Sequence, residues 1–267
     1  RNKTAVAGLI IIFLMILIGL LAPLIAPYSP IDINPREANK GISAAHWFGT
    51  DQYGRDVLSR VMYGARTSIA IGFGASGLGV VIGIIFGTIA GYFGGKVETI
   101  ILRICDVIQS IPNTLLMIIV SQTLGSSFGS TLIALSLYTI PEITRILRSA
   151  MMSVREQEFI EASRAINCSN LNIMVNHVLP NCLSPVIVSF SVGVGMKIMA
   201  SAGLSFLGLG IQEPTAEWGA MISAARANMR YAPHAVLFPG LFVALTVLAF
   251  NFVGDGLRDA LDPKLRR

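Results

Sequence analysis

The side chains that could carry out catalysis form no catalytic pattern in this sequence. No phosphate-binding loop of the form GxxxxGK[ST] occurs, and the nearest run, Gly94-Gly95-Lys96-Val97, lacks both the earlier glycine and the Ser or Thr. There is no CxxC pair and no metal-ligand spacing among Cys105, Cys168, Cys182, His46, His177 and His234. We therefore predict no catalytic residue, no metal site and no nucleotide site in this chain.

Charged side chains interrupt the long apolar stretches at Asp106, Glu142 and Lys197. Lys197 is about 12 residues into its stretch, where an ammonium in a bilayer would cost roughly 2.5–3.5 kcal/mol. Such a group has water or a partner, or else its long side chain reaches the interface. A helix that begins near Glu98 would place Asp106 within ~6 Å of the same depth. We hypothesise that Lys197 faces an aqueous pathway or a carboxylate, with Asp106 as the first candidate; an interfacial lysine is the alternative.

The composition indicates an integral membrane protein. Of the 267 residues, 53% are hydrophobic and only 13% are charged, and the mean hydropathy is +0.68. Soluble domains carry roughly 25% charged residues, and one core could not bury this much apolar surface. A soluble enzyme, a disordered tail and a fibrous repeat are thereby excluded. The net charge of +5 is typical of Lys and Arg in cytoplasmic loops and requires no nucleic acid.

The apolar stretches predict an all-α fold with about six transmembrane helices of ~20 residues each. The predicted helices cover residues 5–26, 67–95, 99–123, 130–148, 185–210 and 234–254. The predicted organisation is therefore a first transmembrane helix at 1–27, a polar loop at 28–66 with a short helix around 54–63, and a five-helix core at 67–267.

The distribution of Lys and Arg predicts the orientation of these helices. With a cytoplasmic N-terminus, twelve of these residues lie on the cytoplasmic side and seven lie outside. Both termini are then cytoplasmic. The polar loop at 152–182 faces the cytoplasm, whereas those at 28–66 and 211–233 face outward.

Small residues recur every four positions along the second predicted helix, at Ala75, Gly79, Gly83, Gly87 and Gly91. Such a row lies on one helix face and allows another backbone to approach closely in lipid. We predict that this face packs against a neighbouring helix, with Gly83 and Gly87 hidden from lipid.

The loop at 152–182 contains a short amphipathic helix. Phe159, Ala162 and Ile166 share one face at spacings of three and four residues. Glu161 and Arg164 flank that face and could form ionic contacts around it. The pattern predicts a rigid element that packs into the groove of a partner.

This loop resembles the EAA motif (EAA-x3-G-x9-I-x-LP) of importer permeases in the ATP-binding-cassette class. Glu161 and Ala162 match the start of the motif, Ser163 replaces its second alanine, and Leu179-Pro180 match its end.

Two positions depart from the motif, because Asn167 stands in place of the glycine and His177 in place of the isoleucine. Asparagine adopts the left-handed conformation more readily than most residues, so we expect Asn167 to preserve the turn.

Further segments, distributed over essentially the whole chain, are similar to the C-type permease subunit of dipeptide, oligopeptide and nickel importers. They are His46–Arg60, Phe206–Gly210, Trp218-Gly219, Phe238–Gly240 and Asn251–Pro263.

The resemblance implies the permease fold of type I importers in a prokaryotic cell membrane. It implies four kinds of neighbour: membrane lipid, a homologous B-type permease, two ATPase subunits and an extracytoplasmic solute-binding protein. ATP and magnesium would be bound by the ATPase subunits, and this chain would bind no cofactor. The residues implied to couple the permease to the ATPase are Phe159, Glu161, Ala162, Ser163, Arg164 and Asn167.

The predicted function is therefore that of a permease subunit that forms half of a pathway for short peptides. An alternative with the same architecture imports nickel or a metal chelate. A more distant alternative is a stand-alone proton-coupled transporter, which should show an internal repeat and intramembrane acidic relays. The sequence shows neither of these features, and it shows no symmetrical filter that would indicate a channel.

Overall fold

The computed structural model describes residues 3–261, which form helices and contain no β-strand. In chain order the helices are α1 (Lys3–Ile25), α2 (Val57–Phe93), α3 (Gly95–Ser110), α4 (Asn113–Leu124), α5 (Phe128–Leu137), α6 (Thr139–Val154), α7 (Glu158–Ala165), α8 (Asn170–Asn172), α9 (Leu179–Cys182), α10 (Ser184–Phe206), α11 (Trp218–Ala225) and α12 (His234–Leu261). Within 3–261, α1, α2, α10 and α12 are each long and apolar enough to cross a membrane, and the bent pair α3 and α4 could form a fifth span.

The glycine row of α2 lies buried against α6. Gly79, Gly83, Gly87 and Gly91 each face α6, and a Cβ atom at Gly83 would lie only 2.7 Å from Cβ of Ile143. The opposing side chains on α6 also recur every four residues: Thr139, Ile143, Leu147 and Met151. The absence of glycine side chains therefore brings the two helices close enough for their backbones to touch.

The third predicted helix, 99–123, is wrong as a single straight segment. The chain breaks at Ile111-Pro112, and α3 and α4 meet at 87°. Ile111 is extended because a proline disfavours the helical conformation of the residue before it, and Pro112 has no N–H to donate. The hydropathy is continuous across this break and gave no sign of it.

The second predicted helix begins ten residues too late, and no separate short helix exists around 54–63. Helix α2 starts at Val57, where the Asp56 side chain accepts a hydrogen bond from the backbone N–H of Ser59. Its first turns contain Arg60, and the charge of this residue is the reason for predicting a solvated loop here. In the structure Arg60 is only 1% exposed, because ion pairs with neighbouring loops compensate its charge.

The sixth predicted span corresponds to α12, and the fourth, at 130–148, corresponds to α5 and α6 on either side of Tyr138. The six-span count and the cytoplasmic position of both termini remain predictions. Arg1, Lys264, Arg266 and Arg267, which contributed to the predicted orientation, lie outside the described residues.

Candidate functional site

A cavity of about 440 Å³ lies between α10 and the helices α4, α5 and α6. Its wall is apolar apart from two charged side chains, Glu142 and Lys197, and the polar groups of Asn113, Tyr138 and Ser189. Lys197 lies near the middle of α10, and Glu142 lies near the middle of the stretch 128–154 that α5 and α6 form. An ionisable pair at this depth is characteristic of a pathway that crosses the membrane.

The prediction that Asp106 is the partner of Lys197 is wrong. Asp106 instead forms ion pairs with Arg145 on α6, at 2.6 Å, and with Arg103 one turn earlier, at 3.4 Å. The reason is that depth along one helix does not fix which neighbour its side chain meets, and α3 packs its Asp106 against Arg145 of α6. Lys197 faces the cavity, and the carboxylate whose charge acts on it is that of Glu142.

Two ion pairs and one hydrogen bond join α3 to α6. Besides the Asp106 pair, Arg148 on α6 forms an ion pair with Glu98 on α3, and Arg145 also donates to Gln109. Helix α6 thus holds α2 on its apolar side and α3 on its polar side.

Helix α7 exposes the face that the sequence predicts for a partner. Phe159 and Ile166 are 41% and 76% exposed, and Glu161, Ala162 and Arg164 are also exposed. A large part of this apolar surface faces solvent, and the exposed charges of Glu161 and Arg164 flank it.

The opposite face of α7 is buried. Ile160 packs with Leu147, Met151 and Ile173 in one apolar cluster. Ser163 also lies on this buried side, with 9% of its surface exposed. Its hydroxyl donates a hydrogen bond to the carbonyl of Phe159 at 2.8 Å. Ser163, which the resemblance includes among the coupling residues, is therefore turned away from the exposed face of α7.

Asn167 ends α7 in the left-handed conformation, with φ of 63°. The turn is closed by two backbone hydrogen bonds, from Asn167 N–H to Arg164 and from Cys168 N–H to Ser163. After this turn the chain folds back through α8, π-helical turns at Ile173–Val178 and α9 to reach α10. Helix α7 is thus joined to α6 and α10 through one cluster of packed apolar side chains.

An ion-pair cluster, which we call the loop clamp, joins the α1–α2 connection to the α10–α11 connection. It consists of Asp51, Arg55, Arg60 and Glu213, with Arg55 to Glu213 at 2.5 Å and Arg60 to Glu213 at 3.0 Å. Both guanidinium groups are nearly fully buried. Sequence reasoning missed the loop clamp because its partners are some 150 positions apart in the chain.

Residues in or next to the similar segments form further contacts around the two connections. Phe48 stacks on Phe238, with ring centroids 3.8 Å apart, and His234 Nε2 lies 2.9 Å from the carbonyl oxygen of Thr50. Glu217 accepts hydrogen bonds from Ala220 N–H and Ser205, and burial raises the pKa of this carboxyl above its ordinary value. These contacts hold the α1–α2 connection and the α10–α11 connection against the ends of the neighbouring helices.

The two tryptophans have opposite surroundings. Trp218 is fully buried, and its indole Nε1 donates to the carbonyl of Val61 at 3.0 Å, whereas Trp47 is 67% exposed. Only Trp47 is accessible to a partner.

Replacement of Trp218 by alanine is expected to lower the free energy of unfolding by about 3–5 kcal/mol, because it leaves a large cavity against Gly64. The matched change Trp47→Ala should have little effect on stability, since this side chain is mostly exposed. Thermal unfolding of the two detergent-purified variants measures these effects. Equal midpoints would contradict the conclusion that Trp218 stabilises the fold by packing and Trp47 does not.

Long apolar helices, a cavity that carries two opposite charges between them, and a short helix with an exposed apolar face together are typical of a membrane transport subunit. The chain belongs to the family of binding-protein-dependent transport system inner membrane components. The sequence pattern of this family matches residues 83–267. Residues 1–41 match the N-terminal TM domain of oligopeptide transport permease C. These matches confirm the family that the motifs indicated, and they make the chain an inner membrane component of such a transport system.

Curated relatives are similar over the whole chain. The dipeptide transport system permease protein DppC of Alkalihalophilus pseudofirmus is 46% identical over 266 residues, which cover 100% of this chain and 88% of the relative. The glutathione transport system permease protein GsiD of Escherichia coli O6:K15:H31 is 44% identical over 267 residues, again 100% of this chain and 88% of the relative.

Solved structures confirm the predicted importer permease fold. A chain of the MetNI methionine ABC transporter in an inward facing conformation matches with a TM-score of 0.61 and 18% identity, over 77% of this chain and 97% of that one. A chain of an amino acid ABC transporter crystallised with histidines matches with a TM-score of 0.58 and 13% identity, over 76% and 95%. At these identities the likeness concerns the fold alone.

Proposed function

We propose that this chain forms half of the translocation pathway of an ATP-driven importer for short peptides. The observation that carries the proposal is its similarity, over its full length, to permeases named for dipeptide and glutathione transport. The other half of the pathway is a homologous B-type permease, and membrane lipid surrounds the pair. Lys197 and Glu142 line the pathway in the cavity between α10 and α6.

Two ATPase subunits bind ATP and magnesium and hydrolyse ATP, and this chain itself is not an enzyme. The sequence has no phosphate-binding loop, so the energy must arrive by mechanical contact. Helix α7 is the contact, because Phe159, Ala162 and Ile166 form an exposed apolar face bordered by Glu161 and Arg164. Its buried side packs in the same cluster as α6, which carries movement toward the cavity.

The α1–α2 connection and the loop at 211–233 receive an extracytoplasmic solute-binding protein. The loop clamp supports this role, because it makes one rigid surface of two distant segments. Exposed Trp47 on that surface is a suitable contact, since tryptophan is enriched in binding hot spots.

Transport by the complete assembly tests the function. The permease pair, the ATPases and the binding protein are reconstituted in liposomes, and uptake of radiolabelled dialanine and of nickel is measured. We expect dialanine uptake that requires both ATP and the binding protein. Nickel uptake without peptide uptake would instead favour the metal alternative, and uptake driven by a pH gradient without ATP would contradict the proposal.

A further inference from the structure

Lys197 is half-buried and Glu142 is exposed on the wall of the cavity, and the two charges act on each other only at a distance. Within residues 3–261, neither side chain forms an ion pair or a hydrogen bond, although both line one cavity. Other charged groups of these helices, such as Asp106 on α3 and Arg145 on α6, are paired directly. A lysine and a glutamate that share a cavity at mid-depth and remain apart leave room for a ligand between them.

The cavity has the size and lining of a small-molecule site. Its volume of about 440 Å³ lies within the roughly 300–1,000 Å³ typical of ligand pockets. Its wall is mainly apolar, and Asn113, Tyr138 and Ser189 add a few groups that can hydrogen bond to an amide.

The opposite signs of the two charges indicate the class of ligand. A simple anion would be repelled by Glu142 and a metal cation by Lys197, whereas a zwitterion satisfies both. A dipeptide carries an ammonium and a carboxylate separated by ~7 Å when extended. We propose that Lys197 binds the carboxylate end and Glu142 the ammonium end of a short peptide during its passage. This inference rests on the proposed function and adds the residues that recognise the substrate inside the membrane.

Such a site needs only modest affinity, because a transported molecule must also leave it. The two ends are bound from different elements, α10 and α6. Helix α6 also packs against α7, so a movement of α7 would change the separation of the two charges. Substrate release would then be linked to the ATPase contact.

The test uses the complete complex in liposomes and compares Lys197→Gln, Glu142→Gln and the double variant with Lys96→Gln, an exposed lysine of α3 outside the cavity. Dialanine uptake and ATP hydrolysis stimulated by the binding protein are measured together. Each single cavity variant should lower uptake about tenfold or more, the effect of losing a charged hydrogen bond. ATP hydrolysis should continue, and Lys96→Gln should transport at the wild-type rate.

The double variant distinguishes recognition from charge balance. If the two charges only neutralise each other, removal of both should restore uptake; if they bind the peptide, the double variant should be at least as impaired as the worse single one. Restored uptake, or wild-type uptake in both single variants, would overturn the inference.

The charge-retaining variants Lys197→Arg and Glu142→Asp provide a second measurement that does not depend on the glutamine variants. They should keep most of the uptake, and complete loss in both would count against recognition by charge. Failure of the wild-type complex to import dialanine would refute the proposed function itself. Wild-type import that the cavity variants leave unchanged would refute only the inference.

Discussion

Replacement of Ala162 by aspartate is expected to abolish ATP-driven uptake while the permease stays folded in the membrane. Ala162 lies on the exposed face of α7 between Phe159 and Ile166, so its substitution disturbs no packing within this chain. In the proposed complex that face is buried in a groove of the ATPase. An unpaired carboxylate there would cost about 3–5 kcal/mol of interface energy, enough to detach or uncouple the ATPase.

The control is the same change at Ala260, an exposed position near the end of α12. Both variants are purified with their partners, and subunit association, stimulated ATP hydrolysis and uptake are measured together. Ala260→Asp should match the wild type in all three measurements. Wild-type uptake by the Ala162→Asp complex, with its subunits associated, would show that α7 does not couple transport to ATP hydrolysis.

Glu161→Lys should weaken the same contact through charge rather than burial. Glu161 is exposed at the border of the apolar face, so its reversal changes the electrostatic match and leaves the packing intact. The loss of uptake should therefore be partial and should depend on salt concentration, in contrast to the loss in Ala162→Asp.

The parts of the structure that local spacing determines could be predicted from the sequence. The face of α7 follows from a period of three and four residues, and the turn at Asn167 follows from the conformational tolerance of asparagine. The glycine row likewise depends only on positions within α2. In each case the determining residues lie within a few helical turns of one another.

The parts that depend on distant residues could not be predicted. Asp106 was assigned to Lys197 by depth, whereas the fold pairs it with Arg145, 39 positions further along the chain on α6. Arg60 indicated a loop because its partner Glu213 is far away in the sequence. The burial of a charge depends on its partner, and hydropathy along one segment contains no information about that partner.

Substitution of leucine for Gly83 is expected to disrupt both the cavity and helix α7, although Gly83 touches neither of them. A Cβ atom at this position would lie 2.7 Å from Cβ of Ile143 and 3.1 Å from the carbonyl oxygen of Ile140. Both atoms belong to the body of α6 rather than to a flexible side-chain end. The two helices must therefore separate, at a cost of about 1–3 kcal/mol for overpacking and more where backbones touch.

The separation should affect function because α6 connects the two sites. Its first turn carries Glu142 into the cavity, and its last turns pack against α7 through Leu147 and Met151. Displacement of α6 would thus move Glu142 out of its place in the cavity and would also loosen the packing of α7. We expect Gly83→Leu to lose uptake and to lower the midpoint of thermal unfolding, even in complexes that still assemble.

The matched control is Gly77→Leu, which makes the same change six residues earlier in α2. No atom lies within 4 Å of a Cβ placed at Gly77, so a leucine there meets open space. Both variants gain the same helix propensity and the same hydropathy, and they differ only in what the new side chain meets. If Gly83→Leu were as stable and as active as Gly77→Leu, close approach of α2 and α6 would not be what holds these sites in place.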